Sequence, residues 1–255
     1  MIGVFDSGVG GLSVLSEIRG LMPNSDLLYL ADRARAPYGN RTLDDVRQIS
    51  MGIGEWLIEQ GASTLVVACN TASAAALETL RARFPGLPVV GMEPAIKPAA
   101  ARTSSGVIAV FATTATFQGR LFESVVSRHG AGVRVVARAC PEWVELVEAG
   151  LVDGEVVQRT LQAPLNEAIG AGADVAVLGC THFSFLAPAM AAIGGEALTV
   201  IDPAPAVAAQ TARVATEPDG EGMLRLAASG DPARLVSLAA SLAGITTPHP
   251  VLKVP

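Results

Sequence analysis

Long apolar runs are missing from this chain. No stretch approaches the ~18 residues that a membrane-spanning helix needs, although hydrophobic residues make up 50% of the 255 and mean hydropathy is +0.43. We therefore expect no membrane partner. Cysteine is scarce too. The three present are an odd set, too sparse for a disulfide framework, and are read as free thiols. Basic blocks are absent: 18 Lys and Arg stand against 24 Asp and Glu, giving a net charge of −6. That balance leaves no electrostatic footprint for nucleic acid. Aromatics are few, at 4%, yet enough apolar surface remains to exclude a disordered chain. Glycine (26) and proline (16) are near ordinary usage, which excludes collagen-like and low-complexity readings. The opening Met1-Ile2-Gly3-Val4-Phe5-Asp6 lacks a positive n-region and an h-region, from which we expect no signal peptide and a cytoplasmic location.

What is present is a strand, a glycine-bearing or polar turn and a helix, repeated. Ile2 to Phe5 reads as a strand ending at Asp6-Ser7-Gly8-Val9-Gly10-Gly11, and Leu12 to Met22 carries helical spacing. Leu27 to Leu30 is a second strand, leading into a polar loop centred on Ala36-Pro37-Tyr38-Gly39. Leu43 to Gln60 is a helix that Gly61 can cap. Thr64 to Ala68 is a buried strand, followed by Cys69-Asn70-Thr71 and an alanine-rich helix through Arg83; Val89 to Gly91 is the next strand. Alternating β and α elements predict parallel sheets covered on both faces.

The pattern then restarts. Val107 to Phe111 is a strand ending in Ala112-Thr113-Thr114-Ala115-Thr116, and Val175 to Leu178 is one ending in Gly179-Cys180-Thr181-His182. At a constant offset of 111 residues, Gly61, Ala62, Val66 and Cys69 coincide with Gly172, Ala173, Val177 and Cys180. This predicts a duplication: two α/β units with parallel sheets. Each domain would carry one cysteine just past the carboxyl end of a strand, where ligands bind in open α/β sheets. The proline-bearing Met92-Glu93-Pro94-Ala95-Ile96-Lys97-Pro98 and Asp202-Pro203-Ala204-Pro205 suggest the crossings. Residues 1–95 plus 206–255 would form the first domain and 96–205 the second. Residues 206–243 read as helical, returning to the first domain, and 249–255 as an extended tail.

Two thiols facing each other across one substrate suit proton removal from one face of a carbon and delivery to the other. A following helix offers its positive end to a thiolate or a bound carboxylate. Cys140 reads as a small buried hydrophobe. Gly8-Val9-Gly10 does not continue into a dinucleotide fingerprint, and no Walker sequence is present. Asp6 could orient an ammonium group or accept a proton, and Ser7 could bond a carboxylate. Tyr38-Gly39 is either a simple turn or an anion loop; Thr113 and Thr116 are either helix caps or hydroxyl donors. His182, two residues past Cys180, could tune that thiol. Glu142, Glu145 and Glu148 on one helix read most simply as a solvated face.

Asp6-Ser7-Gly8-Val9-Gly10-Gly11, Ala36-Pro37-Tyr38-Gly39, Ala68-Cys69-Asn70-Thr71-Ala72-Ser73 and Leu178-Gly179-Cys180-Thr181-His182-Phe183 together resemble the ordered motifs of bacterial glutamate racemases. These belong to the cofactor-independent aspartate/glutamate racemase superfamily. The resemblance runs from Ile2 to about Asp202. It implies two pseudo-symmetric, doubly wound α/β domains with parallel sheets and an active site in the cleft between them, and interconversion of L- and D-glutamate for peptidoglycan, with neither pyridoxal phosphate nor a metal. Carried over by position, Cys69 and Cys180 are the two bases, assisted by Asp6, His182 and Glu148. Asp6, Ser7, Tyr38, Gly39, Asn70, Thr71, Thr113, Thr116, Thr181 and His182 line the substrate site, and a homodimer is compatible with the family. Arg33, where the family often has Thr, Ser184-Phe185 and Asp202-Pro203 depart from its pattern. Three alternatives stay open: an aspartate racemase, although those typically carry Thr-Glu after the second cysteine; a metal site built from Cys69, Cys140, Cys180 and His182; and a non-catalytic partner-binding protein.

Overall fold

The computed structural model describes residues 1–118, 120–130, 132–215 and 220–254. Strand β1 (Ile2–Asp6), helix α1 (Leu12–Leu21), β2 (Leu27–Asp32), α2 (Leu43–Glu59), β3 (Thr64–Val67), α3 (Asn70–Arg83) and β4 (Val89–Gly91) build the first half. The second half follows with α4 (Ile96–Arg102), β5 (Val107–Ala112), α5 (Thr114–Gln118), α6 (Arg120–His129), β6 (Arg134–Ala139), α7 (Pro141–Ala149), α8 (Gly154–Gly170), β7 (Val175–Gly179), α9 (Ala187–Gly194) and β8 (Thr199–Ile201). The chain closes with α10 (Ala204–Val214), β9 (Leu224–Ser229), α11 (Pro232–Ala243) and β10 (Leu252–Val254).

Two sheets result, with strand orders β10-β9-β2-β1-β3-β4 and β6-β5-β7-β8. Every pairing is parallel. The four strands β2-β1-β3-β4 run in the same order as β6-β5-β7-β8, as the repeated cysteine pattern predicts. In each set the order reverses beside the first strand, which creates a crevice at the carboxyl ends of β1 and β3, and of β5 and β7. The central strands β1, β2, β3 and β7 are buried along their whole length. Their Val, Leu and Ile runs can satisfy two covered faces, which a half-exposed strand could not. One apolar cluster crosses from the first half into the second, joining Val4, Leu15 and Val66 to Ala109, Phe111 and Leu178.

Local signals set the helix ends. Thr42 caps α2 by accepting from the Asp45 N–H at 3.2 Å. Gly61 takes φ +96° just after that helix, a backbone that glycine adopts without a Cβ clash. Two expectations fail at the carboxyl end. Residues 206–243 are not continuously helical, because Leu224–Ser229 is strand β9, paired with β2 over six residues. Residues 249–255 are more than a tail, because Leu252–Val254 pairs with β9. Leu224-Arg225-Leu226-Ala227-Ala228-Ser229 has no strong strand period, and its conformation is set by the open edge of β2. Strand β6 was not identified from sequence either. It is an edge strand that starts at an exposed Arg134 and carries a second arginine, Arg138, before its last residue, so it lacks a continuous apolar run.

Candidate active site

Four strand ends converge on one cleft. Ser7 follows β1, Cys69 follows β3, Thr113 follows β5 and Cys180 follows β7. The cleft is lined by Ser7, Pro37, Tyr38, Gly39, Cys69, Asn70, Thr71, Thr113, Val144, Cys180, Thr181 and His182, and its free volume is about 20 Å³. That is room for one water. Ten of these residues are readable from sequence; Pro37 lay in the same quoted motif, and Val144 carried no signal beyond being an apolar residue of a helix. Asp6, Thr116 and Glu148 stand behind the lining rather than in it.

Both thiols are buried. Cys69 occupies the N-cap of α3 and accepts from the Ala72 N–H at 3.5 Å, with the Ser7 hydroxyl 3.7 Å away. Burial nevertheless pushes this thiol well above its usual range. The Asp6 charge adds to that, and the Ala72 N–H and Ser7 only partly offset it. The helix end was expected to favour a thiolate, but desolvation dominates in this closed form. Cys180 departs from expectation differently. It is followed by a six-residue 3₁₀ helix, Thr181–Leu186, and α9 begins only afterwards. Its companion is His182, whose Nδ1 lies 3.7 Å from Cys180 Sγ. Burial alone would lower the imidazole pKa, but contacts with Cys180 and Glu148 outweigh it and hold it well above the ordinary range.

Asp6 is fully buried at the joint of the two halves. One carboxylate oxygen accepts from the Ser7 N–H at 2.7 Å, and the other from the Gly11 N–H and from Thr181 Oγ1, the latter at 3.0 Å. Burial pushes its carboxyl up, against the nearby His182 charge and these donors. Thr71, Thr113 and Thr116 form a hydroxyl triangle, with separations of 3.0, 3.4 and 2.9 Å. Both amide atoms of buried Asn70 are without a hydrogen-bond partner among the described residues. A buried amide in this state is costly and is available to an incoming polar ligand. Tyr38 is anchored from behind, donating its hydroxyl to Asp32, which leaves Gly39 packed on Thr113.

Glu148 is not part of a solvated face. Glu142 and Glu145 are exposed, but the Glu148 side chain keeps only 21% exposure. Its Oε1 accepts from the Val9 N–H at 2.8 Å and from His182 Nε2 at 2.9 Å. Its Oε2 accepts from Arg33 Nε at 3.2 Å. The aromatics, few as they are, fix this arrangement. Trp143 stacks on Phe111 at 5.1 Å and meets Phe183 edge-on at 4.9 Å, so α7 and the loop after Cys180 share one anchor. Burial would raise the Glu148 pKa, but the His182 hydrogen bond and charge, the Val9 N–H and Arg33 bring it down to about 2.

A depressed carboxyl stabilises the fold above its unfolded pKa of ~4.3 and loses that contribution as pH falls toward 2. We expect unfolding free energy to fall by about 2 kcal/mol across that window on this account. Glu148→Gln should flatten this part of the curve. Urea titrations between pH 5 and 2 would test it, and an unchanged slope would remove Glu148 from the acid-sensitive contacts.

Cys140 does not join the cleft. It is buried where it precedes α7, its N–H donates to Ala112 O at 2.9 Å, and burial pushes its thiol up to about 12. Among the described residues, no group of three or more His, Cys, Asp or Glu side chains is arranged to hold a metal ion. No helix among them is long and apolar enough to cross a membrane.

Two parallel sheets enclosing a polar cleft with a thiol from each half define a class, the two-domain α/β enzymes that close around a small substrate. Similarity to known proteins narrows it. The pattern of the Asp/Glu/Hydantoin racemase family matches residues 12–211. A glutamate racemase of Roseiflexus sp. (strain RS-1) is 48% identical over 247 residues, covering 93% of this chain and 90% of that protein. The crystal structure of a glutamate racemase isoform from Bacillus anthracis superposes with a TM-score of 0.88 at 30% identity, covering 100% of this chain and 97% of that one. The Escherichia coli glutamate racemase, solved with L-glutamate and an activator, gives 0.88 at 31% identity, with 99% and 97% covered. The chain belongs to the Asp/Glu/Hydantoin racemase family and is an enzyme of the racemase class.

Proposed function

We propose that this enzyme interconverts L- and D-glutamate by direct exchange of the Cα proton between two cysteines, Cys69 and Cys180, and so supplies D-glutamate for peptidoglycan. The observation that carries the reading is the presence of both thiols in one closed cleft, each at the end of an equivalent strand. The names of the similar proteins, and the L-glutamate bound by the Escherichia coli relative, support the choice of substrate. The cleft as it stands has room for about one water, so glutamate enters a more open form.

In one direction, the Cys180 thiolate takes the Cα proton from one face. His182 stands beside that sulfur, its Nδ1 3.7 Å away. The carbanion then takes the Cys69 S–H proton on the opposite face. The enzyme is left with a Cys180 thiol and a Cys69 thiolate, which is the starting state for the reverse direction. The raised Cys69 pKa suits a proton donor. Asn70, the three threonine hydroxyls, Ser7 and the free N–H groups at the start of α3 offer donors to the two carboxylates without an arginine. Asp6, behind the lining, holds the Ser7 N–H and the Thr181 hydroxyl beside the two thiols. We also retain residues 1–95 plus 206–255 and 96–205 as the two domains, supported by the sheet membership of their strands, and the cytoplasm as the site of action.

The test is to incubate the purified protein with L-glutamate in D₂O, following the Cα proton by NMR and the optical signal together. Both should decay without added cofactor. If neither changes, racemisation of glutamate is wrong; faster turnover of aspartate would move the substrate assignment.

A further inference from the structure

Arg33 immediately follows β2, in the first half of the chain. Its partner Glu148 lies 115 residues away on α7, in the second half. The Arg33 side chain is 17% exposed and that of Glu148 21%, so the pair is less screened by solvent than an ordinary surface pair. The two oxygens of Glu148 have separate tasks. Oε1 meets His182 and the Val9 N–H, and Oε2 meets Arg33. The backbone beneath is held from the same side of the cleft, because Arg234 donates to the Glu148 and Ala149 carbonyls at 3.1 and 3.0 Å. Arg33 therefore fixes the second oxygen of the Glu148 carboxylate, while the first is shared by His182 and the Val9 N–H. The racemase motifs did not mark it, since its role depends on a helix far away in sequence.

We propose that Arg33 is a positioning residue for proton transfer at Cys180: it turns the Glu148 carboxylate across the cleft, and Glu148 holds the His182 ring against the thiol. This rests on the racemase reading above. Without Arg33, Oε2 turns to water, the Val9 N–H alone is left to hold the carboxylate against His182, and its grip on His182 Nε2 loosens. No atom of Arg33 touches the reacting carbon.

Racemisation has an equilibrium constant of one, so any variant must lower kcat/KM equally in both directions. The signature lies in which proton transfer limits the rate. With Cα-deuterated substrates, a slower Cys180 step raises the isotope effect in the direction where Cys180 removes the proton. It lowers the effect in the direction where Cys69 does so. A purely structural loss would reduce kcat/KM and leave both isotope effects as they were.

The experiment measures kcat/KM and both isotope effects for the full-length wild type and for Arg33→Gln, Arg33→Lys, Glu148→Gln and the Arg33→Gln/Glu148→Gln pair. We expect Arg33→Gln to lower kcat/KM by about tenfold, the scale of one charge-assisted hydrogen bond, with the two isotope effects moving in opposite senses. Arg33→Lys should recover most of the loss, because a cation is retained even though the fork geometry is not. In the Glu148→Gln background, Arg33→Gln should cost nothing further. A change of less than about twofold, unmoved isotope effects, or full additivity in the pair would each overturn the role of Arg33. A wild-type protein inert toward glutamate would overturn the racemase reading and this proposal with it. An active wild type with an indifferent Arg33→Gln would overturn this proposal alone.

Discussion

Cys69→Ala and Cys180→Ala should each reduce racemisation by about a thousandfold or more, the scale of removing a positioned general acid or base. The loss must be the same in the L-to-D and D-to-L directions, because the equilibrium constant ties them together. The two variants should still differ in a second measurement. With one thiol gone, the other can take a proton from its own face and return a solvent proton to that face. Each variant is therefore expected to exchange the Cα proton of one enantiomer with D₂O, with retention, and the favoured enantiomer should be opposite in the two. Both thiols are buried, and alanine removes little volume, so circular dichroism should stay native-like. Inversion at more than about a tenth of the wild-type rate in either variant would rule out the two-thiol mechanism.

Gly10→Ala is the substitution outside the cysteines with the largest expected effect. A Cβ at this position would run into His182 Nδ1 and Thr181 Oγ1, and would stand 2.7 Å from the His182 backbone nitrogen. The two side chains can turn aside, but the backbone cannot without moving Cys180. The neighbouring Gly8 has a similar constraint against the Glu148 carboxylate. The glycine-rich turn after β1 is thus bare because the second half of the chain lies directly on it. We expect Gly10→Ala to lower kcat/KM by about a hundredfold, the scale of a misplacement near 1 Å, and stability by about 1–3 kcal/mol. Gly52, exposed in α2 with nothing within 4 Å of an added Cβ, is the control. Gly52→Ala should stabilise by about 0.5–1 kcal/mol and leave the rate unchanged. Urea unfolding with steady-state kinetics separates the two, and a near-normal rate for Gly10→Ala would show that the turn can yield.

How much of this was legible follows the range of the physical signal. Strands β1, β3, β5 and β7 announce themselves as short apolar runs closed by a polar or glycine residue, since that composition suits a strand covered on both faces. Cys69 and Cys180 stand out because equivalent strand ends recur at a fixed spacing. Ser7 and Thr113 follow from strand ends in the same way, and Asn70 from the family resemblance. Glu148 was legible only through the family resemblance; its own surroundings in sequence, among Glu142 and Glu145, point to solvent. Val144 was not legible at all, and the thiolate-favouring environment expected for Cys69 gave way to burial.

The alternation of elements and the α/β class were determined by the sequence alone, because each is written within a few consecutive residues; so were the duplicated plan and the paired thiols, because short strand-end runs recur at a constant offset. Tertiary structure decided what depends on distant partners. Whether Leu224–Ser229 becomes strand or helix is settled by pairing with β2, nearly the whole chain length away. Asp6 meets Thr181 across 175 residues, and Val9 meets Glu148 across 139. Such contacts leave no periodicity or spacing behind, because the energy that selects them arises only when two separately formed surfaces exclude water from between them.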